Sequence, residues 1–334
     1  MTRANREDVA RLAGVSTAVV SYVINNGPRP VAEATKVRVL AAMDELHYRP
    51  NASARALKLA RTNVVGLLMT DITNPYFSEF AHHLQDHAYA HGYGLMIANT
   101  GPDGVKETAE LHNMLAREVD GIAIYGVRKP ETLETILRAG IRVMSLDWHL
   151  DRPNIPSVGI DDYGATREAV EHLIAHGHDE VAFIGGKDDL TLRLRAWTDI
   201  MGARCTPDRL SELRAVDEFT REGGFDATLR LLKQPNPPAA IFVSSDVQAF
   251  GALRAVQHVG LKIPDDVAIV SLDGTDASAF TYPSLTAIRL PLAEIAKHCI
   301  DKLTAGDQDG THITVPHTLV IRESCGHHPE LTQQ

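Results

Sequence analysis

Residues 8–25 read DVARLAGVSTAVVSYVIN, and a basic segment, RPNASARALKLAR, follows at 49–61. The first stretch reads as two short helices joined by a tight turn. Val9, Ala10, Leu12 and Ala13 form the apolar stripe of the first helix, Gly14 and Val15 make the turn, and Ser16 is placed to cap the second. Counting on from Ser16, Val20, Val23 and Ile24 fall on the buried side. Thr17 with Ser21, and Ala18 with Tyr22, stack at i, i+4 on the opposite side. In a helix-turn-helix the second helix enters the major groove of DNA. Thr17, Ala18, Ser21, Tyr22 and, at the helix end, Asn25 are therefore the candidate DNA contacts.

Charge separates this reading from an ordinary helical hairpin. Over residues 1–61 ten Lys and Arg stand against five acids, a net +5, and because the whole chain carries −10 the remainder carries −15. A small basic head on a large acidic body suits phosphate binding by the head alone. Thr17 and Ala18 offer methyl groups to thymine, and the Thr hydroxyl bonds either kind of base edge. Neither supplies the bidentate fork that Arg gives guanine, so the residues do not spell out a target sequence.

The chain has 334 residues, 44% apolar and 23% charged, enough for a buried core of one to three domains beyond the head. No apolar run approaches 20 residues and Met1 leads straight into polar sequence, so no membrane partner is expected and a cytoplasmic location is. Cys205, Cys299 and Cys325 are too few and too widely spaced for a disulfide framework.

From Asn63 onward, apolar runs alternate with amphipathic stretches. VVGLLMT, YGLMIA, DGIAIYG, IRVMSLD, EVAFIGG, AAIFVSSD and VAIVSLDG each read as a buried parallel strand. Helices are expected at about 76–91, 104–118, 130–139, 163–177, 190–203, 222–234, 246–260 and 291–304. This alternation predicts a doubly wound α/β core with material for two sheets, behind an all-α head. Ligands in such sheets sit at the carboxyl ends of strands. Those ends here carry Asp71 leading to Tyr76 and Phe77, then Tyr125, Asp147 with Trp148, Asp161 and Asp162, Asp246, and Asp273. A single strand-end Asp is as readily an N-cap of the next helix; several on one cleft suggest a binding site.

Through DVARLAGVS, VSYVIN, VRVLAAMDELHYRPN and ARALK, the first 60 residues resemble the head of the LacI/GalR family of bacterial transcription regulators, and the resemblance continues along nearly the whole chain. It implies a third head helix at about 32–46 and a hinge helix at about 52–59 that orders on operator DNA. Leu57 would be the apolar wedge in the minor groove, with Arg55 and Lys58 near the phosphates. Ala32 departs from the family, which often has a Ser or Thr capping the third helix, and Tyr22 is also less usual. The family core resembles periplasmic sugar-binding proteins, two lobes joined by three crossings, here near 160–164, 286–291 and 320–324. The implied division is a head at 1–50, hinge and linker at 51–61, an N-lobe at about 62–161 plus 291–321, and a C-lobe at about 162–290 plus 322–334.

The resemblance also assigns roles. Arg193, four residues before Trp197, would reach an effector, Asp273 would be the strand-end carboxylate, and Phe219 would cover the ligand from the C-lobe while Tyr76 and Phe77 cover it from the N-lobe. Gly274 stands where the family usually has a second Asp, and Ser245 replaces an Asn. An Arg, several carboxylates and flanking aromatics suit a sugar or sugar derivative; Trp148 and Phe219 keep a purine or nucleoside as the alternative. The expected partners are an imperfectly palindromic operator, a small effector and a second copy of the chain, since a dimer places two heads about its two-fold axis.

No cofactor or metal is expected. Gly92-Tyr93-Gly94 opens like a dinucleotide fingerprint but precedes a strand and has Ile97 where the third Gly belongs. His83, His87 and His91 share a helix face without a Cys or acid of suitable spacing. His298, Cys299, Cys325, His327 and His328 read as a thin surface cluster. A solute-binding protein would leave the basic head unexplained, and an enzyme would need a nucleophile, base or cofactor loop that does not stand out.

Overall fold

A computed structural model describes residues 4–25, 29–49, 61–101, 104–126, 129–146, 155–187, 192–305 and 309–326. The hinge with Arg55, Leu57 and Lys58, the pair Asp147 and Trp148, the side chain of Asn25, and His327 and His328 lie outside the described residues. The chain divides into two compact units, 1–62 and 63–334.

The first unit holds three helices, α1 (Arg6–Ala13), α2 (Thr17–Asn25) and α3 (Glu33–Glu45). Asn5 starts α1 with a capping box: its side chain accepts from the amides of Glu7 and Asp8, and Asp8 accepts from the Asn5 amide. Gly14, at φ +63°, turns the chain, and the Ser16 hydroxyl accepts from the Val19 amide at 3.3 Å to cap α2. Val9, Ala10, Ala13, Val20, Val23, Val39 and Ala42 make the small core. Leu12 is corrected: it is 46% exposed. At 3.6 residues per turn it lies roughly 100° around α1 from the centre of the arc of Val9, Ala10 and Ala13, outside the wedge that α2 and α3 close. Ala32 makes no side-chain cap to α3.

The second unit contains two six-stranded sheets. In the first, β1 (Val64–Met69) lies between β2 (Gly94–Asn99) and β3 (Gly121–Ile124), followed outward by β4 (Arg142–Ser145), β5 (Ser157–Gly159) and β11 (His312–Thr314), all parallel. Side-chain alternation splits its core in two. Leu67, Met69, Ala123 and Met144 face the cluster containing Phe80 and Leu84 of α4 (Pro75–Ala90) and Ile295 and Ile300 of α12 (Leu292–Ala305). Leu68, Ile122, Ile124 and Val143 face Leu111 and Met114 of α5 (Glu107–Leu115) and Leu133 and Ile136 of α6 (Pro130–Arg138).

The second sheet runs β12 (Thr318–Val320), β10 (Thr286–Arg289), β9 (Ala268–Asp273), β8 (Ala240–Val243), β6 (Ala182–Gly186), β7 (Arg214–Asp217), with only β12 antiparallel. Its helices are α7 (Asp162–Ala175), α8 (Leu192–Gly202), α9 (Pro207–Glu212), α10 (Arg221–Leu232) and α11 (Asp246–His258). Trp197 of α8 is buried against Phe183, and its indole N–H donates to the Val181 carbonyl at 2.8 Å.

The chain passes between the sheets at 160–161, 290–291 and 315–317. The third passage precedes the expected 320–324, because β12 pairs with β10 and so belongs to the second sheet. Short strands at 157–159, 214–217, 286–289, 312–314 and 318–320 were not anticipated, nor was α9, and because 286–289 is a strand of the second sheet the second passage is confined to the end of the expected 286–291. The C-terminal cysteine cluster is also corrected. Cys299 is buried on α12 under the first sheet, whereas Cys325 is buried in a 3-10 turn, Glu323–Cys325, beside the second. His91 bonds back to the His87 carbonyl and lies 3.4 Å from Asp301. Among the described residues no helix is long and apolar enough to cross a membrane.

Candidate functional site

Two surfaces present the residues singled out above. On the head, Thr17 and Ala18 at the start of α2 are exposed, while Ser21 and Tyr22 are half-buried one turn on. Val20 and Val23 anchor the opposite face in the head core. The second helix of the turn thus presents its N-terminal residues outward, the part that meets base edges in this motif.

The other surface lies in the second unit. Strand order reverses between β1 and β3 in one sheet and between β6 and β8 in the other, and the crevices outside the carboxyl ends of those strands are the switch points where α/β folds bind ligands. On the first lobe, Asp71 closes a turn by accepting from the Thr73 amide and hydroxyl at 2.9 and 2.8 Å. Asn74 then caps α4 through the Tyr76 amide. This sets Tyr76 and Phe77 against Tyr125, just past β3, with ring centroids 4.7–5.6 Å apart. Such tilted and edge-on contacts fix an aromatic wall.

Arg193, on the first turn of α8, is held on the second lobe at two points. Its Nε donates to Asp162 Oδ1 and its Nη1 to the Ser244 carbonyl, both at 2.8 Å. Asp273 ends β9 with φ +110°, a strained conformation for a residue with a side chain and of a kind that clusters at binding sites. Its Oδ2 accepts from the Asp246 amide at 3.0 Å. Burial, reinforced by the nearby Asp246 carboxylate and opposed by Arg193, holds the Asp273 carboxyl well above the usual carboxylate range. Tyr76 feels both lobes: burial, Tyr125 and Asp273 raise its phenol, and Arg193 opposes them. Arg193 and Asp273 of one lobe therefore act on the aromatic wall of the other.

The remaining residues have more local work. Asp161 caps α7 through the Gly164 amide. Phe219 is 41% exposed, with its ring laid over Gly186 at the end of β6; a Cβ there would come within 2.1 Å of it. Asp246 is wholly buried and accepts from the hydroxyls of Ser271, Thr275 and Ser278 and from the Thr275 amide, pinning the segment after β9. Burial raises its carboxyl even so. Gly274 is explained sterically: a Cβ would lie 2.5 Å from the Arg289 Cα, so the second Asp of the usual pattern has no room. Ser245 caps α11, accepting from the Gln248 amide.

Two contributors, Gln248 and Glu79, escaped the sequence reading, and a third, Asp162, was named there only beside Asp161. Asp162, not Asp161, pairs with Arg193, and two adjacent acids at a helix start carry no signal to choose between them. Gln248 is buried and its amide donates to the Gly185 and Glu218 carbonyls, tying the ends of β6 and β7 together. Glu79 of α4 accepts from the Asp276 amide at 2.9 Å, a bond between the lobes.

Residues 7–51 match the family model of bacterial regulatory proteins, lacI family, and residues 170–325 match a periplasmic binding protein-like domain. The chain is 32% identical over 334 residues to the HTH-type transcriptional repressor PurR of Pectobacterium carotovorum, covering 97% of this chain and 98% of that one. It is 33% identical over 305 residues to the ribose operon repressor of Escherichia coli, covering 90% and 92%. Among solved structures it is similar to the lac repressor dimer bound to operator and the anti-inducer ONPF, with TM-score 0.82, 27% identity, and coverage of 97% and 99%.

Proposed function

The chain belongs to the lacI family of bacterial regulatory proteins, and on that premise we propose that it is a ligand-responsive repressor working as a homodimer on an imperfectly palindromic operator. It acts in the bacterial cytoplasm, on the nucleoid when bound to DNA. It has no catalytic role. The observation that carries the reading is the exposed Thr17–Ala18 start of α2, set on a self-contained three-helix head and joined to a two-lobed core with a cleft.

The head contacts DNA through Thr17, Ala18, Ser21, Tyr22 and Asn25, and the hinge through Arg55, Leu57 and Lys58. The effector lies between Tyr76, Phe77 and Tyr125 on one side and Arg193, Asp273 and Phe219 on the other, with Asp71 and Asp161 around the rim and Asp246 behind; Asp147 and Trp148 join the set on the resemblance alone. A sugar or sugar derivative fits this set best, its hydroxyls meeting Arg193 and Asp273 and its ring face meeting an aromatic. The ribose operon repressor among the relatives supports the same class. The exposed Phe219 ring favours a second reading, a purine or nucleoside stacked on it.

Effector binding rotates the first lobes of the dimer and alters the spacing of the two hinges, with a coupling of about 1 to 3 kcal/mol. Three experiments test this. Selection of bound duplexes from a random pool by the full chain should return an imperfect palindrome; recovery without sequence preference would overturn the regulator reading. A thermal-shift screen against sugars, sugar phosphates and purines, followed by operator titration with each stabilising compound, identifies the effector class and the sign of its action. Leu57→Ala should weaken operator binding far more than effector binding, and equal losses would remove the hinge assignment.

A further inference from the structure

The C-terminal end of α7 carries a side-chain cluster that neither DNA reading nor effector binding uses. His172 and His176 sit one turn apart on the same helix face, and Cys325 is brought against them from the far end of the chain. The ligand atoms of the three residues all lie within 4.8 Å of one another, with His172 Nε2 3.2 Å from Cys325 Sγ. The two imidazole centroids are 4.4 Å apart. In a tetrahedral zinc site with Zn–N near 2.0 Å and Zn–S near 2.3 Å, neighbouring ligand atoms stand about 3.5 Å apart. Small side-chain rotations bring the cluster to that spacing.

Two further observations fit a metal. His176 Nδ1 donates to the His172 carbonyl at 2.9 Å; a carbonyl can only accept, so the proton is on Nδ1 and the ligating lone pair is on Nε2. An N–H to carbonyl bond of this kind is the usual outer support of a ligating imidazole. The backbone carrying Cys325 is fixed as well. Ser324 Oγ donates to the Ile269 carbonyl and accepts from the Thr286 amide, while Glu323 accepts from the Ser284 amide and hydroxyl. The thiol is therefore positioned by the second sheet rather than by a loose tail. Cys325 is buried and both imidazoles are half-buried, which leaves solvent a route to the fourth position.

We propose that His172, His176 and Cys325 form a zinc site that ties the C-terminal end of α7 to the segment following β12. One thiolate and two imidazoles suit zinc among the common divalent ions, with water as the fourth ligand. On binding, the Zn–S bond forms and the Cys325 thiol proton passes to solvent. The site lies about 15–20 Å along α7 from Asp162 in the cleft, at 1.5 Å per residue. It is thus separate from the effector site, and its test stands whether or not the effector reading does.

The test uses the full chain, stripped with chelator and titrated with zinc chloride in competition with a chromophoric chelator, and in parallel with cobalt(II). One zinc per chain is expected, together with tetrahedral cobalt bands and a thiolate-to-cobalt charge-transfer band. Cys325→Ser should abolish that charge-transfer band and weaken zinc binding at least about a hundredfold, whereas Cys205→Ser should leave both intact. His176→Gln, at a half-buried position, should weaken zinc at least about tenfold while leaving the Tm of the metal-free chain within a few degrees of the parent. The proposal is overturned if the full chain takes up no stoichiometric zinc, if the charge-transfer band survives Cys325→Ser, or if His176→Gln binds zinc as tightly as the parent.

Discussion

Asp246 and Asp273 are neighbouring buried carboxylates with different work. Asp246 has its acceptors filled by three hydroxyls and an amide, so it holds a loop in place. Asp273 has the Asp246 amide on one oxygen, and burial makes its charged form costly. Because its folded pKa is raised above the unfolded value, that cost is present above the folded pKa and is relieved as pH falls through it. Asp273→Asn should therefore raise Tm at pH 7, with the gain shrinking as pH falls from the raised pKa toward about 4, the ordinary Asp value. Effector affinity in the parent should fall with pH starting above the ordinary carboxylate range; calorimetric titration at a series of pH values checks both. Arg193→Met leaves Asp162 buried without its cation. It should cost about 3 kcal/mol in chemical denaturation and abolish effector binding. Strand-end acids were legible in the sequence because apolar runs have visible ends. Which of them caps a helix and which faces the cleft was not, since that depends on partners such as Ser271, Thr275 and Ser278 that converge only in the fold.

Elements were legible in proportion to how much apolar surface they bury. β1, β6, β8 and β9 are runs of buried residues and stand out, as do the long helices between them. The three-residue strands β5, β11 and β12 carry mostly half-buried side chains and have neither an apolar run nor a usable alternation. Many helix starts follow side-chain caps, and Ala32 is one of the places, with Lys106 and Lys129, where the cap is missing. Ala32→Ser should stabilise the head by about 0.5–1 kcal/mol, measurable as a shift in the thermal unfolding of α1–α3. Close helix packing is equally local in origin: α10 and α11 meet at Gly251, where a Cβ would lie 1.9 Å from the Arg221 carbonyl oxygen. Gly251→Ala, which gains helix propensity in an isolated peptide, should instead destabilise the core by about 1–3 kcal/mol in urea unfolding, because the two helices must separate.

At the scale of the molecule, the head carries net +5 and the remainder −15, so operator affinity and effector affinity should respond to salt differently. A dimer neutralising roughly six to ten phosphates loses about 10³–10⁵ in affinity between 50 and 200 mM salt, while effector binding in the core should change little. Fluorescence anisotropy on operator duplex and calorimetry on effector, over the same salt series, check the contrast. The two sheets also differ in how they are assembled from the chain. The first sheet contains β1–β5 but takes its edge strand β11 and its covering helix α12 from residues beyond 290, after nearly all of the second sheet has been passed. During synthesis the head is complete within the first sixty or so residues to emerge, whereas the earlier-made lobe must wait for His312–Thr314. The second lobe waits still longer, for Thr318–Val320, so both lobes close only on the last part of the chain to be made, and each spends most of its time at the ribosome with one edge of its sheet unpaired.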